Sequence, residues 1–339
     1  MSRKRMFSFI LGLLISAVFL FIILRNVNFG ELMQAMKEAN YLWLLPNIFF
    51  VIFAMYQRAE RWKYMLRPLA EVKYSKLLAA TCVGFMANNV LPLRLGEFVR
   101  AYSLAEQEKR VTKSASLATI FAERMVFDLL ALLLILAVIL MLTPLPVDSR
   151  FKMGAVISLG VAGVGLLFSI AVVMRPEGAG RILTKYLFFL PQGIRGKVNS
   201  IVLKFSKGLL FLKDWRQTAW VSAHTIVLWL CMGISNIFVL YAFGLDLPFY
   251  ASYVLLVVVS ISILIPSSPG FIGVYHGGVV WTLHFFNVSS NSAISCAIVL
   301  HAAQFIPITL MGFYYLKKEH LSLKQLEKEA LEERHDAEI

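Results

Sequence analysis

The stretch Pro266–Gly278, PSSPGFIGVYHGG, lies between YVLLVVVSISILI and VVWTLHFF. It puts two prolines, four glycines and a histidine into a region otherwise apolar enough to sit inside a bilayer. Hydrocarbon offers an exposed backbone N–H or C=O no partner, so spanning helices normally run unbroken. Irregular backbone at depth is tolerated only where protein surrounds it or where it lines a water-filled cavity. The break therefore predicts a helical membrane protein with something built inside its bundle.

Composition agrees. Of 339 residues, 59% are hydrophobic and 16% charged, with a mean hydropathy of +0.72; soluble domains carry about 25% charged residues. Apolar runs near the ~20 residues that cross a ~30 Å hydrocarbon core recur from end to end. Only 175–217 and the residues after Leu316 are candidates for structure outside the membrane. MSRKR followed by MFSFILGLLISAVFLFIIL reads as a retained signal anchor, because the run is long and RNVNFG offers no small-residue cleavage site. Cys82, Cys231 and Cys296 lie in separate apolar segments and read as small buried hydrophobes, with no disulfide framework or metal site implied. The net charge of +13 flanks the apolar runs instead of forming a basic domain, so it points to membrane orientation and not to nucleic acid.

The charge rule then orders the chain. A first span near 6–24 leads to a short amphipathic connection, NVNFGELMQAMKEAN. A second, near 41–56, ends in QRAERWKYMLRPLAEVKYSK, whose six Lys/Arg against two acids mark the cytoplasm. The run LLAATCVGFMANNVLP closes on Asn88, Asn89 and Pro92 and is followed by another basic stretch, so a re-entrant segment keeps both loops cytoplasmic. Further spans are expected at 115–142, 153–174, 219–243, 251–265 and 293–316, with 279–286 rising after the opening break. The fold expected is all-α: a polytopic helix bundle of about seven to eight membrane segments, two of them broken or re-entrant, near 77–101 and 252–286. Such paired, oppositely approached breaks are the best sequence pointer to a transporter's central site. Residues 1–316 form the membrane domain, both termini are cytoplasmic, and 175–217 is a basic loop. That loop reads either as amphipathic helices on the inner leaflet or as a plain positive-inside connection. The tail 317–339, with seven acids against five Lys/Arg, reads as a solvated helix or as a surface for a protein partner.

Three polar constellations interrupt the apolar background. In NNVLPLRLGEFVR, Glu97 and Arg100 are three apart on one face with Arg94 a turn earlier, which permits an ion pair with one positive charge left for an anionic head group. The alternative is a cytoplasmic helix cap with solvated charges. In FAERMVFDLL, Arg124 and Asp128 are four apart and can pair, while Glu123 points elsewhere and needs another partner; ionisable groups at such a place face the bundle interior. This is either a structural pair or part of a pathway. The third is the opening stretch, with His276, then His284, His301 and Gln304 downstream. Nothing resembles a zinc motif, so a polar lining is expected rather than a metal, and Gly273 with Gly277 suits close helix packing. No Walker loop, nucleophile elbow or Cys-x-x-Cys is present, so no cofactor is expected.

At these residues the sequence resembles the lysylphosphatidylglycerol synthase transmembrane region family, also called flippase-like. The resemblance rests on Asn89, Pro92, Arg94, Gly96, Glu97 and Arg100, on Glu123, Arg124 and Asp128, and on Pro266, Ser268, Pro269, Gly270 and Gly273. It implies a bacterial or archaeal inner-membrane protein that moves a phospholipid or polyprenyl-linked lipid between leaflets. Anionic membrane lipids would then be its partners. Asn89, Arg94, Glu97, Arg100, Glu123, Arg124, Asp128, Ser268, Gly270, Gly273 and His276 are the candidate head-group residues. The chain leaves no room after Leu316 for the soluble synthase domain of fused members, so lysyl transfer is not expected. The alternatives are an enzyme of lipid modification and a non-transporting partner in envelope assembly. Two positions depart from the family pattern, which has a further Gly where Phe271 stands and a Glu where His276 stands.

Overall fold

The computed structural model describes residues 3–25, 27–144, 149–175 and 206–338. Among these the fold is helical with no strand. Most of the loop expected at 175–217 lies outside the described residues. In chain order the helices are α1 (Arg3–Leu24), α2 (Phe29–Glu38), α3 (Leu44–Leu66), α4 (Tyr74–Val90), α5 (Gly96–Gln107), α6 (Lys113–Ala122) and α7 (Leu129–Leu142). They continue as α8 (Ser149–Met174), α9 (Trp215–Ala242), α10 (Tyr250–Ser262), α11 (Val274–Phe285), α12 (Ser290–Lys318) and α13 (Leu323–Glu338).

Among the described residues five stretches are long and apolar enough to cross a membrane: Tyr41–Leu66, Lys113–Leu142, Lys152–Met174, Trp215–Ala242 and Ser290–Lys318. Counting Ile10–Leu24 with Phe29–Glu38, bent by 88°, makes a sixth. This count of full-length spans does not by itself confirm the seven to eight segments expected, two of which were expected to be broken. The difference lies in α4, α10 and α11, which run only 17, 13 and 12 residues, short of the ~20 that a crossing needs. They belong instead to the two interrupted segments, where α4 meets α5 across Pro92–Arg94 and α10 meets α11 across Pro269–Phe271. On α8, Val161, Val164 and Leu167 are each about two-thirds exposed (67%, 66% and 66%). In water such a face would be an interaction site or an aggregation liability, but beside lipid it is ordinary.

The chain divides into two compact units, Met1–Met55 with Cys82–Val99 and Trp229–Ile339, and Tyr56–Thr81 with Arg100–Leu228. The core of the first is built from Val239, Leu255, Val279, Leu283, Ala297 and Leu300 with their neighbours. Lipid tails are as apolar as these side chains, so helices associate here through close packing at small residues. A Cβ at Gly277 would meet the Phe19 ring at 2.6 Å, and one at Gly278 would meet Ser262 Oγ at 2.6 Å. All three cysteines are buried and free, as expected. The tail does form a helix, but Leu326 and Ala330 are buried, so one face of it is covered and not solvated.

The second unit holds the π-helical turn Glu123–Asp128 between α6 and α7, and α8 packs along α7. Its loop end is tied by Glu108, which accepts hydrogen bonds from Arg110 Nε (2.7 Å) and Lys76 Nζ (3.2 Å). Those two cations hold the Glu108 carboxyl down to about 2, against an ordinary 4.5.

Candidate functional site

In the first unit the two breaks are built alike and touch. Each begins at a proline and continues through two left-handed residues. Leu93 and Arg94 have φ of 66° and 55°, and Gly270 and Phe271 have 71° and 58°. Each then closes on a glycine, Gly96 or Gly273, that opens or caps the next helix. The shared pattern Pro-x-x-(Leu/Ile)-Gly, Pro92–Gly96 and Pro269–Gly273, is too short to stand out as a repeat in the sequence alone. Arg94 joins the two: its Nη1 donates to Ile263 O at 3.0 Å, and its guanidinium lies 5.6 Å from the centroid of the Phe271 ring.

Backbone freed by the breaks is satisfied by protein, as hydrocarbon requires. Gly96 N–H donates to Asn88 Oδ1 (2.8 Å), and Asn88 Nδ2 donates to Glu97 Oε1 (3.3 Å). Asn89 Nδ2 donates to Thr309 Oγ1 (2.9 Å), pinning the end of α4 to α12. Ser268 N–H donates to Ser16 Oγ (2.9 Å), and Gly273 N–H donates to His276 Nδ1 (3.4 Å). Only a glycine suits position 273: φ is 92° there, and a Cβ would stand 2.7 Å from Ser16 O. The first unit thus brings together Asn89, Arg94, Glu97, Ser268, Gly270, Gly273 and His276 along two adjoining turns and their flanks.

Arg100, Glu123, Arg124 and Asp128 belong to the second unit and form a separate, dense cluster. Arg100 Nη1 and Nη2 donate to Glu123 Oε1 (2.9 Å) and Oε2 (3.2 Å). The partner expected from spacing was Glu97, but Arg100 instead forks onto a carboxylate from another helix. Its guanidinium lies over Trp62, 4.0 Å from the ring centroid, and Trp62 donates to Thr119 Oγ1 (2.9 Å). The Arg124–Asp128 pair predicted from i,i+4 spacing is present at 3.1 Å.

Sequence reading missed Arg61, which is the hub. Its Nη1 lies 2.7 Å from Asp128 Oδ1 and donates to Thr225 Oγ1 at 3.1 Å, and its Nη2 lies 2.9 Å from Glu123 Oε1. Arg58, one turn earlier, is buried beside it. Both stand in QRAERWKYML, read above as a cytoplasmic flank, but α3 continues to Leu66 and carries them inward. The π turn explains how one arginine reaches both acids. Residues five apart on an α-helix point about 140° away from each other. An i→i+5 turn, seen here in the Leu129 N–H donating to Arg124 O, brings them back to nearly the same side. Among the described residues the cluster sets four arginines against two carboxylates.

Among the described residues no group of histidine, cysteine and acidic side chains could hold a metal. The sequence pattern described as Lysylphosphatidylglycerol synthase TM region matches residues 9–312. A UPF0104 membrane protein of Methanothermobacter thermautotrophicus is 24% identical over 301 residues, covering 84% of this chain and 87% of its own. A second, from Methanocaldococcus jannaschii, is 25% identical over 251 residues, covering 71% of this chain and 98% of its own. No solved structure matches the chain significantly. With the match running through both breaks and the arginine cluster alike, this multi-pass membrane protein belongs to the lysylphosphatidylglycerol synthase TM region family.

Proposed function

We propose that the chain moves an anionic membrane lipid, a phospholipid or a polyprenyl-linked lipid, between the leaflets of the cell's inner membrane, with both termini in the cytoplasm. The observation that carries this reading is the meeting of two non-helical turns at Arg94 and Phe271, inside a unit otherwise packed with apolar side chains. Interrupted helices that meet in this way are how transporters build binding sites at membrane depth. Arg94 supplies positive charge in the first unit, and the arginines of the cluster supply it in the second. Asn89, Glu97, Ser268, Gly270, Gly273 and His276 shape the first site, while Arg100, Glu123, Arg124 and Asp128 hold the second. Residues 1–316 act as the membrane domain and 317–339 as an appended helix. No catalytic role is proposed for any of these groups.

The test is reconstitution of the full chain into liposomes carrying fluorescent phosphatidylglycerol, phosphatidylethanolamine or a polyprenyl phosphate. The fraction of label that an external quencher can reach is then measured over time. Wild type should raise that fraction above protein-free vesicles for an anionic lipid, and Arg94→Gln should slow it. No movement of any of the three lipids, with and without an imposed ion gradient, would overturn the reading.

A further inference from the structure

A chain of polar contacts runs through the first unit to the second break. Asn236 on α9 donates from Nδ2 to Ser252 O (3.3 Å) and accepts on Oδ1 from Gln304 Nε2 of α12 (3.0 Å). Gln304 Oε1 accepts from the Tyr275 hydroxyl of α11 (3.1 Å). The Tyr275 ring stacks on His301 with centroids 4.6 Å apart, and His301 meets His276 edge to face at 4.8 Å. His276 Nδ1 accepts from Gly273 N–H, with His301 edge to face beside it. One imidazole of the pair therefore holds Gly273, a left-handed glycine of the second break. Lipid binding by Arg94 requires none of this.

His276 Nδ1 has a single lone pair. While it accepts from Gly273, the ring is neutral and carries its proton on Nε2, a tautomer assigned from that hydrogen bond. A proton arriving from water at Nδ1 turns the acceptor into a donor, and Gly273 N–H loses its partner. That N–H sits at the N-terminal end of α11, where the first amides already lack helical acceptors. An orphaned donor in an apolar interior is costly, so a proton on Nδ1 and the present closed joint exclude each other. The titratable groups at the rings are Tyr275 on α11 itself and the two histidines toward each other, with Cys296 of α12 near Tyr275, while Arg94 from the first break is seated on Phe271. α1 and α10 face this region with Ser16 and Ser262. At 4.8 Å the two rings titrate as a pair, which takes one proton before it takes two.

We propose that His276, paired with His301, is a proton-binding site whose occupancy releases the Gly273 joint, making the proton the coupling ion of the lipid movement. Only the coupling rests on the lipid reading; proton binding and the release of the joint are observable without it.

The test uses the full chain in liposomes, with Cys82, Cys231 and Cys296 changed to alanine and a nitroxide label on Ile272→Cys, a half-exposed position inside the joint. Label mobility is followed by electron paramagnetic resonance from about pH 5 to 8, the range in which histidine changes charge. The expected result is a sigmoidal change in mobility that is lost in His276→Gln and shifted along the pH axis in His301→Gln. Spectra that do not change with pH, or a transition that survives in His276→Gln, would overturn the site. In the liposome lipid assay an imposed pH gradient should change the wild-type rate, and an unchanged rate would overturn the coupling. A clear transition in vesicles where no lipid moves would sink the lipid reading and leave the proton site standing.

Discussion

Arg61→Met is the sharpest perturbation of the second unit. Arg61 is wholly buried and pairs with Asp128 at 2.7 Å and Glu123 at 2.9 Å. Its loss leaves Glu123 with Arg100, and Asp128 with Arg124, whose side chain is 26% exposed. Each acid keeps a second arginine, so what is lost is one charge-assisted bond to each, about 1.5–3 kcal/mol apiece and so about 3–6 kcal/mol together. At roughly 2–4 °C per kcal/mol for larger domains, the melting midpoint should fall by on the order of 10 °C. Intrinsic tryptophan fluorescence in detergent reads this directly, since Trp62 lies under the neighbouring Arg100. Arg61→Met combined with Asp128→Leu should not recover the loss, because Arg124 then loses its own carboxylate and replacement by apolar groups is neutral only when it removes every member of the buried pair. Lys109→Met, which breaks an exposed i,i+3 pair with Glu106, should leave the midpoint unmoved. A midpoint for Arg61→Met within 2 °C or so of wild type would refute the hub assignment, whatever the double variant does.

Gly96→Ala should abolish the first break's geometry. Its Cβ would run into Gly84 O and the Asn88 amide, and loss of monodisperse protein on size exclusion, or a midpoint lowered by more than Arg61→Met produces, is expected. Phe271→Gly removes a left-handed side chain, which relieves about 1–2 kcal/mol, and also removes the ring under Arg94, which forfeits a comparable cation–π contact. Stability should therefore change little while the lipid rate falls, as measured side by side in detergent melts and liposomes. For Glu108 the sign follows from a carboxyl held down to about 2 against an ordinary 4.5. Its contribution is complete above about pH 4.5 and is lost as pH falls toward 2, so Glu108→Gln should lower the midpoint at neutral pH and flatten its acid dependence.

What the sequence makes legible follows from how local each signal is. The helical membrane fold and both breaks are written in runs of neighbours: apolar stretches, then Pro and Gly clustered where lipid tolerates neither alone. The Arg124–Asp128 pair is likewise local, four residues apart on one helix. Arg61 is not local. It pairs with acids 62 and 67 residues away, and a basic flank and a buried hub look the same until the helix is known to continue past Tyr56. The pairing of Arg100 fails for the related reason that spacing lists which side chains can meet and says nothing of a stronger partner on another helix. The π turn leaves no periodicity signal, since one displaced turn shifts the register without changing composition.

The two breaks share a turn but not their anchoring. The first is clamped: Gly96 N–H meets Asn88 at 2.8 Å, Asn89 meets Thr309 at 2.9 Å, and no imidazole takes part in either bond. Amide and hydroxyl groups do not titrate, so these contacts are the same at every physiological pH. The second is held to its following helix through a longer bond, 3.4 Å, to an imidazole, a side chain that can take up a proton. Arg94 is seated on this second turn through Ile263 and Phe271, so any movement of the Gly273 joint shifts the floor under the cation. A lipid phosphate bound at Arg94 and a proton bound at His276 would then each alter the other's site. Such linkage is reciprocal by necessity, so an anionic lipid added to the spin-labelled protein should move the pH midpoint of the Ile272 transition, and a neutral lipid should not.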